Sequence, residues 1–195
     1  MSEVLFVCYG NLCRSPSAAL LLREELARAG ITSVTVRSAG IAEADVGTPL
    51  DLVDEAQQFG IDLADHIPHV VDTAEIDAAD LVIGMTREHL RETVVAVPSS
   101  FSKTFTLREI VRRGLLEGTR STGENLRAWL ARLHVGRRRA DFIGASLEDD
   151  VLDPMGGMAE DYRFMLAELA TLTEALRELA WPTDATGGRL RPGTR

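Results

Sequence analysis

Cys8 and Arg14 stand six residues apart in the run Cys8-Tyr9-Gly10-Asn11-Leu12-Cys13-Arg14-Ser15, and together they can handle a phosphate group. A cysteine attacks phosphorus as its thiolate, and arginine's planar fork grips two oxygens of the anion as a lysine does not. The spacing alone arises often by chance, so its surroundings decide its weight. Val4–Val7 is an unbroken apolar run that suits a buried strand of a parallel sheet, and Ser15-Pro16 reads as a helix cap with proline in the first turn. A tight turn from that strand into that helix aims the backbone N–H groups of residues 9–15 into one concavity. The helix N-terminus adds positive potential there. Phosphate-binding positions are therefore expected at Tyr9, Gly10, Asn11, Leu12, Cys13, Arg14 and Ser15. The same field favours the thiolate of Cys8, and the Ser15 hydroxyl is placed to donate to its sulfur. Gly10 and Asn11 are the residues most tolerant of a left-handed turn in so tight a loop.

Other phosphate loops are missing. There is no Gly-x-x-x-x-Gly-Lys-Ser/Thr, Lys103 is the only lysine and lacks the glycines, and no Gly-x-Gly-x-x-Gly follows a strand. Cys8 and Cys13 are the only cysteines, which is neither a disulfide framework nor a four-ligand zinc set. His66, His69, His89 and His134 complete no such set, so no metal and no cofactor are expected. A net charge of −9 disfavours nonspecific binding to nucleic acid or to an anionic membrane. No apolar run approaches the ~20 residues of a spanning helix, and Met1-Ser2-Glu3 lacks the positive start of a signal peptide, so a cytoplasmic protein is expected.

The elements that must position the loop follow from periodicity and punctuation. Strands are predicted at 4–7, 34–36, 81–83 and 104–105, and helices at 18–29, from Thr48-Pro49 to about 59, from the Thr86 cap to 97, at 107–116, at 124–133 and at about 158–180. This alternation argues an α/β fold, a parallel sheet with helices on both faces and the phosphate loop between the first strand and first helix. Ligands of such sheets bind beyond the carboxyl ends of the strands, where Cys8 sits. One domain spanning 1–181 is expected, with 182–195 as a disordered Gly, Pro and Arg-rich tail. Arg137-Arg138-Arg139 reads as a solvated turn, and a docking site for an acidic partner is the sharper alternative.

The segment Val4 to Ala18 resembles the signature of the low-molecular-weight protein-tyrosine phosphatases. Ser38-Ala39-Gly40, Gly60-Ile61 before His66, Ala79-Asp80-Leu81-Val82 leading to Met85, and Asp153-Pro154-Met155-Gly156 are similar to that family as well, over roughly residues 3–98 and 148–180. The resemblance implies a four-stranded parallel sheet, no metal, and a cysteinyl-phosphate intermediate. It implies Asp153 as the acid that protonates the leaving group and then activates water, where the local alternative is a solvated acidic loop with Glu148, Asp149 and Asp150. It further implies that Asn11, Ser15 and Ser38 hold the loop's shape, with His66 near them. Cys13 is a candidate redox partner of Cys8, able to shield it as a reversible disulfide, or else a packing residue. The expected partner is a phosphorylated protein, with phosphotyrosine foremost, or a small phosphomonoester.

Three features depart from the family pattern. Met155 stands where many members carry an aromatic, the loop 41–48 has no aromatic, and 99–147 is longer than usual. Tyr9 offers a ring that could compensate. Alternatives are a thiol-dependent arsenate reductase, against which stands the lack of any cysteine after Cys13, and a non-catalytic phospho-ligand binding module. A phosphoarginine phosphatase is a nearer alternative, in a branch that tends to carry threonine where this chain has Leu12.

Overall fold

An apolar run with no polar alternation must be covered on both faces, and β1 (Ser2–Cys8) is. In the computed structural model, which describes residues 1–44 and 46–183, Val4, Phe6 and Cys8 enter the larger core while Leu5 and Val7 enter a second one behind the sheet. The chain continues through α1 (Arg14–Arg28), β2 (Val34–Gly40), α2 (Leu50–Gln58), α3 (Thr73–Ala78), β3 (Leu81–Gly84) and α4 (Arg87–Ala96). A 3₁₀ turn at Pro98–Lys103 leads to β4 (Thr104–Thr106), α5 (Leu107–Glu117), α6 (Leu126–His134), a second 3₁₀ turn at Arg139–Phe142, and α7 (Ala159–Ala180).

The four strands are parallel in the order β2-β1-β3-β4. β1 is central, and its last residue, Cys8, pairs in register with Gly40. Helices α1, α2, α5, α6 and α7 contribute to the larger core, and α3 to the one on the other face. The α/β architecture and four-stranded sheet expected from the sequence are what the chain adopts. The tail expected at 182–195 lies, from 184 onward, outside the described residues.

Some local expectations are corrected. α1 begins at Arg14 with Cys13 in the cap position and no side-chain cap bond, so Ser15 is not the cap. Its hydroxyl is drawn to the Cys8 sulfur instead. α2 begins at Leu50, with Pro49 as the cap residue and the Thr48 hydroxyl unpaired. α3 was not foreseen. Its signal is local, a capping box in which the Asp72 carboxylate accepts from Glu75 N and the Glu75 carboxylate accepts from Asp72 N. Thr86, Thr106 and Asn125 cap α4, α5 and α6 by accepting from the N–H three residues on.

The triple arginine is not a solvated turn throughout. Arg137 is buried, with both carboxylate oxygens of Glu109 at 2.7 and 3.0 Å and the carbonyls of Thr104 and Phe101 at 2.7 and 3.0 Å. Its guanidinium lies 3.9 Å from the Phe105 ring centroid, and the rings of Phe101 and Phe142 flank it. Arg138 and Arg139 stay at the surface, as expected. Arg137 thus ties the end of α6 to β4 and α5, which orders the long 99–147 segment.

Candidate active site

The loop from Cys8 to Arg14 closes a turn too tight for ordinary backbone. Asn11 has φ 54, and among the described residues it is the only non-glycine with positive φ. The asparagine is buried and every polar atom of its amide is used. Nδ2 donates to Ser15 Oγ and to Ser38 Oγ, each at 3.0 Å, and Oδ1 accepts from His69 N at 3.3 Å. His66 Nε2 meets the Asn11 carbonyl at 2.7 Å, which makes Nε2 a protonated nitrogen that donates to that oxygen. Burial holds the His66 pKa below its ordinary value, against the opposing pull of that carbonyl. Asn11, Ser15, Ser38 and His66 are therefore brought together behind the loop. Gly40 permits their approach, since a Cβ there would lie 2.7 Å from the Tyr9 carbonyl oxygen and 2.9 Å from the Gly10 carbonyl carbon.

Ser15 Oγ stands 2.9 Å from Cys8 Sγ, with the Ala39 carbonyl as a longer alternative acceptor at 3.3 Å. Accepting from Asn11 leaves the Ser15 proton free to point at the sulfur. Cys13 is also buried and free, and its Sγ contacts Met165 Sδ at 3.6 Å. Burial, with the Cys8 sulfur and Asp153 beside it, pushes the Cys13 thiol well above the ordinary cysteine range.

Arg14 reaches across to the loop before α7. Its Nη2 donates to Asp153 Oδ2 at 2.6 Å, and its Nη1 lies 3.4 Å from the Val151 carbonyl. The acidic run before Asp153 is not solvated throughout. Asp149 is 1% exposed in its side chain, held by Arg87 of α4 at 2.7 Å and Arg112 of α5 at 2.8 Å. Asp150 accepts from the N–H groups of Arg87 and Ser146, and Val151 N donates to the Met85 carbonyl at the end of β3. The loop carrying Asp153 is thus fastened to two helices and a strand end. Asp153 Oδ1 then accepts from Met155 N at 3.2 Å, and Gly156, with φ 81, turns the chain into α7. Nothing in the sequence pattern distinguished Asp149 and Asp150 from a solvated cluster, because their partners lie 37 and 63 residues away.

Cys8, Arg14 and Asp153 line one cleft of about 420 Å³. Tyr9, Leu12, Met155, Ala44 and Val46 form its apolar walls, and the exposed Glu43 also lines it. Tyr9 is 54% exposed and is the only aromatic side chain among the described residues that line this cleft. Among the described residues no cluster of histidine, cysteine and carboxylate groups has the makings of a metal site.

The model of the family described as low molecular weight phosphotyrosine protein phosphatase matches residues 3–117. The chain belongs to this family. It is 32% identical over 181 residues to a protein-arginine-phosphatase of Geobacillus stearothermophilus, covering 90% of this chain and 94% of that one. The low molecular weight protein tyrosine phosphatase of T. tengcongensis superposes with a TM-score of 0.68 at 28% identity, over 91% of this chain and 99% of the other. A solved arginine phosphatase with a TM-score of 0.66 and 26% identity, covering 90% of this chain and 93% of that one, carries phosphate on the serine that replaces its active-site cysteine. This low-molecular-weight phosphatase therefore works through a cysteine nucleophile. Its similarity runs to both tyrosine and arginine phosphatases. No described helix is long and apolar enough to cross a membrane.

Proposed function

We infer that this phosphatase hydrolyses aryl phosphate monoesters on proteins, phosphotyrosine foremost, with Cys8 as nucleophile, Arg14 as phosphate clamp and Asp153 as acid and then base. The observation that carries the reading is the convergence of these three groups on one cleft of apolar walls. Backbone N–H groups of residues 9–15 and the Arg14 fork hold the phosphate oxygens. The Cys8 sulfur attacks phosphorus, the bond from phosphorus to the ester oxygen breaks, and that oxygen takes the Asp153 proton. Water then attacks the cysteinyl phosphate and gives its proton to Asp153, the S–P bond breaks, and inorganic phosphate leaves. The Ser15 hydroxyl, 2.9 Å from the sulfur, stabilises the thiolate as it attacks and again as it departs. The incoming phosphate competes with Asp153 for Arg14, so binding frees the carboxyl to turn toward the leaving group.

An aromatic ring suits walls built from Leu12, Val46 and the thioether of Met155. A second reading, phosphoarginine, is favoured by the near full-length similarity to a protein-arginine-phosphatase and by Glu43, a cleft-lining acceptor for a guanidinium. The test uses para-nitrophenyl phosphate with chelator, then matched phosphotyrosine and phosphoarginine peptides, for the parent, Cys8→Ser and Asp153→Ala. Turnover of every substrate lost in the first variant, a steep reduction on the phosphotyrosine peptide in the second, and a higher kcat/KM for phosphotyrosine in the parent are expected. A higher kcat/KM for phosphoarginine would overturn the substrate assignment, and an active Cys8→Ser would overturn the mechanism.

A further inference from the structure

Beside the catalytic cleft lies a second groove of about 580 Å³, between the 152–157 loop and α7. The two are adjacent, for Asp153 and Met155 line both. The groove is walled by large apolar side chains that the fold leaves in water. Leu152 is 65% and Phe164 is 67% exposed, and Met155 is partly exposed at the shared rim. Each carboxylate that lines it has a partner, Asp161 in the N–H of Met158, Glu168 in Arg108 and Asp153 in Arg14. The larger part of the groove's surface is apolar. Such a patch next to a reaction centre is where a ligand extends beyond the reacting group.

We propose that this groove is a specificity subsite, taking a large apolar side chain of the substrate polypeptide within a few residues of the phosphorylated one. The occupant follows from adjacency: a polypeptide whose phosphoresidue fills the Cys8 cleft and whose chain crosses the Asp153–Met155 rim meets the groove there. The inference rests on the reading that the substrate is a phosphorylated protein. A small phosphomonoester would fill the first cleft and leave the second untouched.

The test is a panel of phosphopeptides in which leucine replaces alanine at each of the three positions on either side of the phosphoresidue. Each enzyme is read by the ratio of kcat/KM for the leucine peptide to that for the alanine peptide, so general loss of activity cancels. Burying most of a leucine side chain corresponds to roughly tenfold, and the parent is expected to show that gain at one position. In Phe164→Ser, and independently in Leu152→Ser, the ratio falls toward unity. Both side chains are mostly exposed, so the fold is retained. A flat ratio in the parent, or a gain that survives both substitutions, would overturn the subsite and leave the protein-substrate reading standing. Turnover of para-nitrophenyl phosphate with none of any phosphopeptide would overturn both. A dimer at assay concentration that dissociates in Phe164→Ser would assign the groove to a second copy of the chain and overturn the proposal.

Discussion

His89 makes the stability of this phosphatase depend on pH in a way that can be worked out in advance. The ring is 2% exposed, and its Nδ1 lies 3.0 Å from the Thr86 hydroxyl oxygen at the start of α4. Burial, with the Arg14 guanidinium adding to it, pushes its pKa down to about 3 from an ordinary 6.5. The folded protein therefore keeps His89 neutral at a pH where the unfolded chain takes up a proton. Stability from this group is complete above the unfolded pKa and is lost as pH falls from about 6.5 toward about 3. Each unit in that window costs about 1.4 kcal/mol, so about 2 kcal/mol is gone at pH 5. The measurement is urea unfolding at pH 7 and pH 5 for the parent and for His89→Gln, which keeps an acceptor for Thr86 without titrating. Between the two pH values the parent should lose about 2 kcal/mol more than the variant. Equal losses would refute the reasoning, whatever His89→Gln costs at pH 7.

Asp153→Asn should lower kcat by roughly 10²–10⁴ for phenyl phosphate, and far less for esters whose leaving group departs without a proton; a steeper dependence of rate on leaving-group pKa is the readout. Gly40→Ala puts a methyl group 2.7 Å from the Tyr9 carbonyl oxygen. It should destabilise by about 1–3 kcal/mol and weaken inhibition by inorganic phosphate, as seen by thermal unfolding and by Ki. Arg137→Met leaves the buried Glu109 with Arg113 as its one remaining arginine partner, costing about 1–3 kcal/mol in urea unfolding, and the double variant with Glu109→Leu should recover part of it. Cys13→Ser should recover less activity than the parent after peroxide and thiol treatment, and equal recovery would remove its shielding role.

The phosphate loop and its place at a strand end were legible because they are local. An apolar run, a thiol, an arginine six residues on and a helix-starting proline lie within one short stretch, and backbone geometry within such a stretch follows from its own residues. The strands and most helices were readable for the same reason, through periodicity and caps. α3 escaped although its capping box was present, because a helix of six residues carries too little periodicity to announce itself.

What only the tertiary structure decided is which distant residues complete the site. Asp153 meets Arg14 across 139 residues of chain, and Asp149 is fixed by Arg87 and Arg112, 62 and 37 residues away. A carboxylate's residue type is the same whether it is solvated or clamped. The same limit applies to Arg137, which its neighbours in sequence mark as surface and its neighbours in space make a buried hub. Sequence determines which groups can do the chemistry, since that is a property of each side chain. Burial and charge pairing are properties of packing, so whether a group is held, shielded or free is decided only when the chain has closed around it.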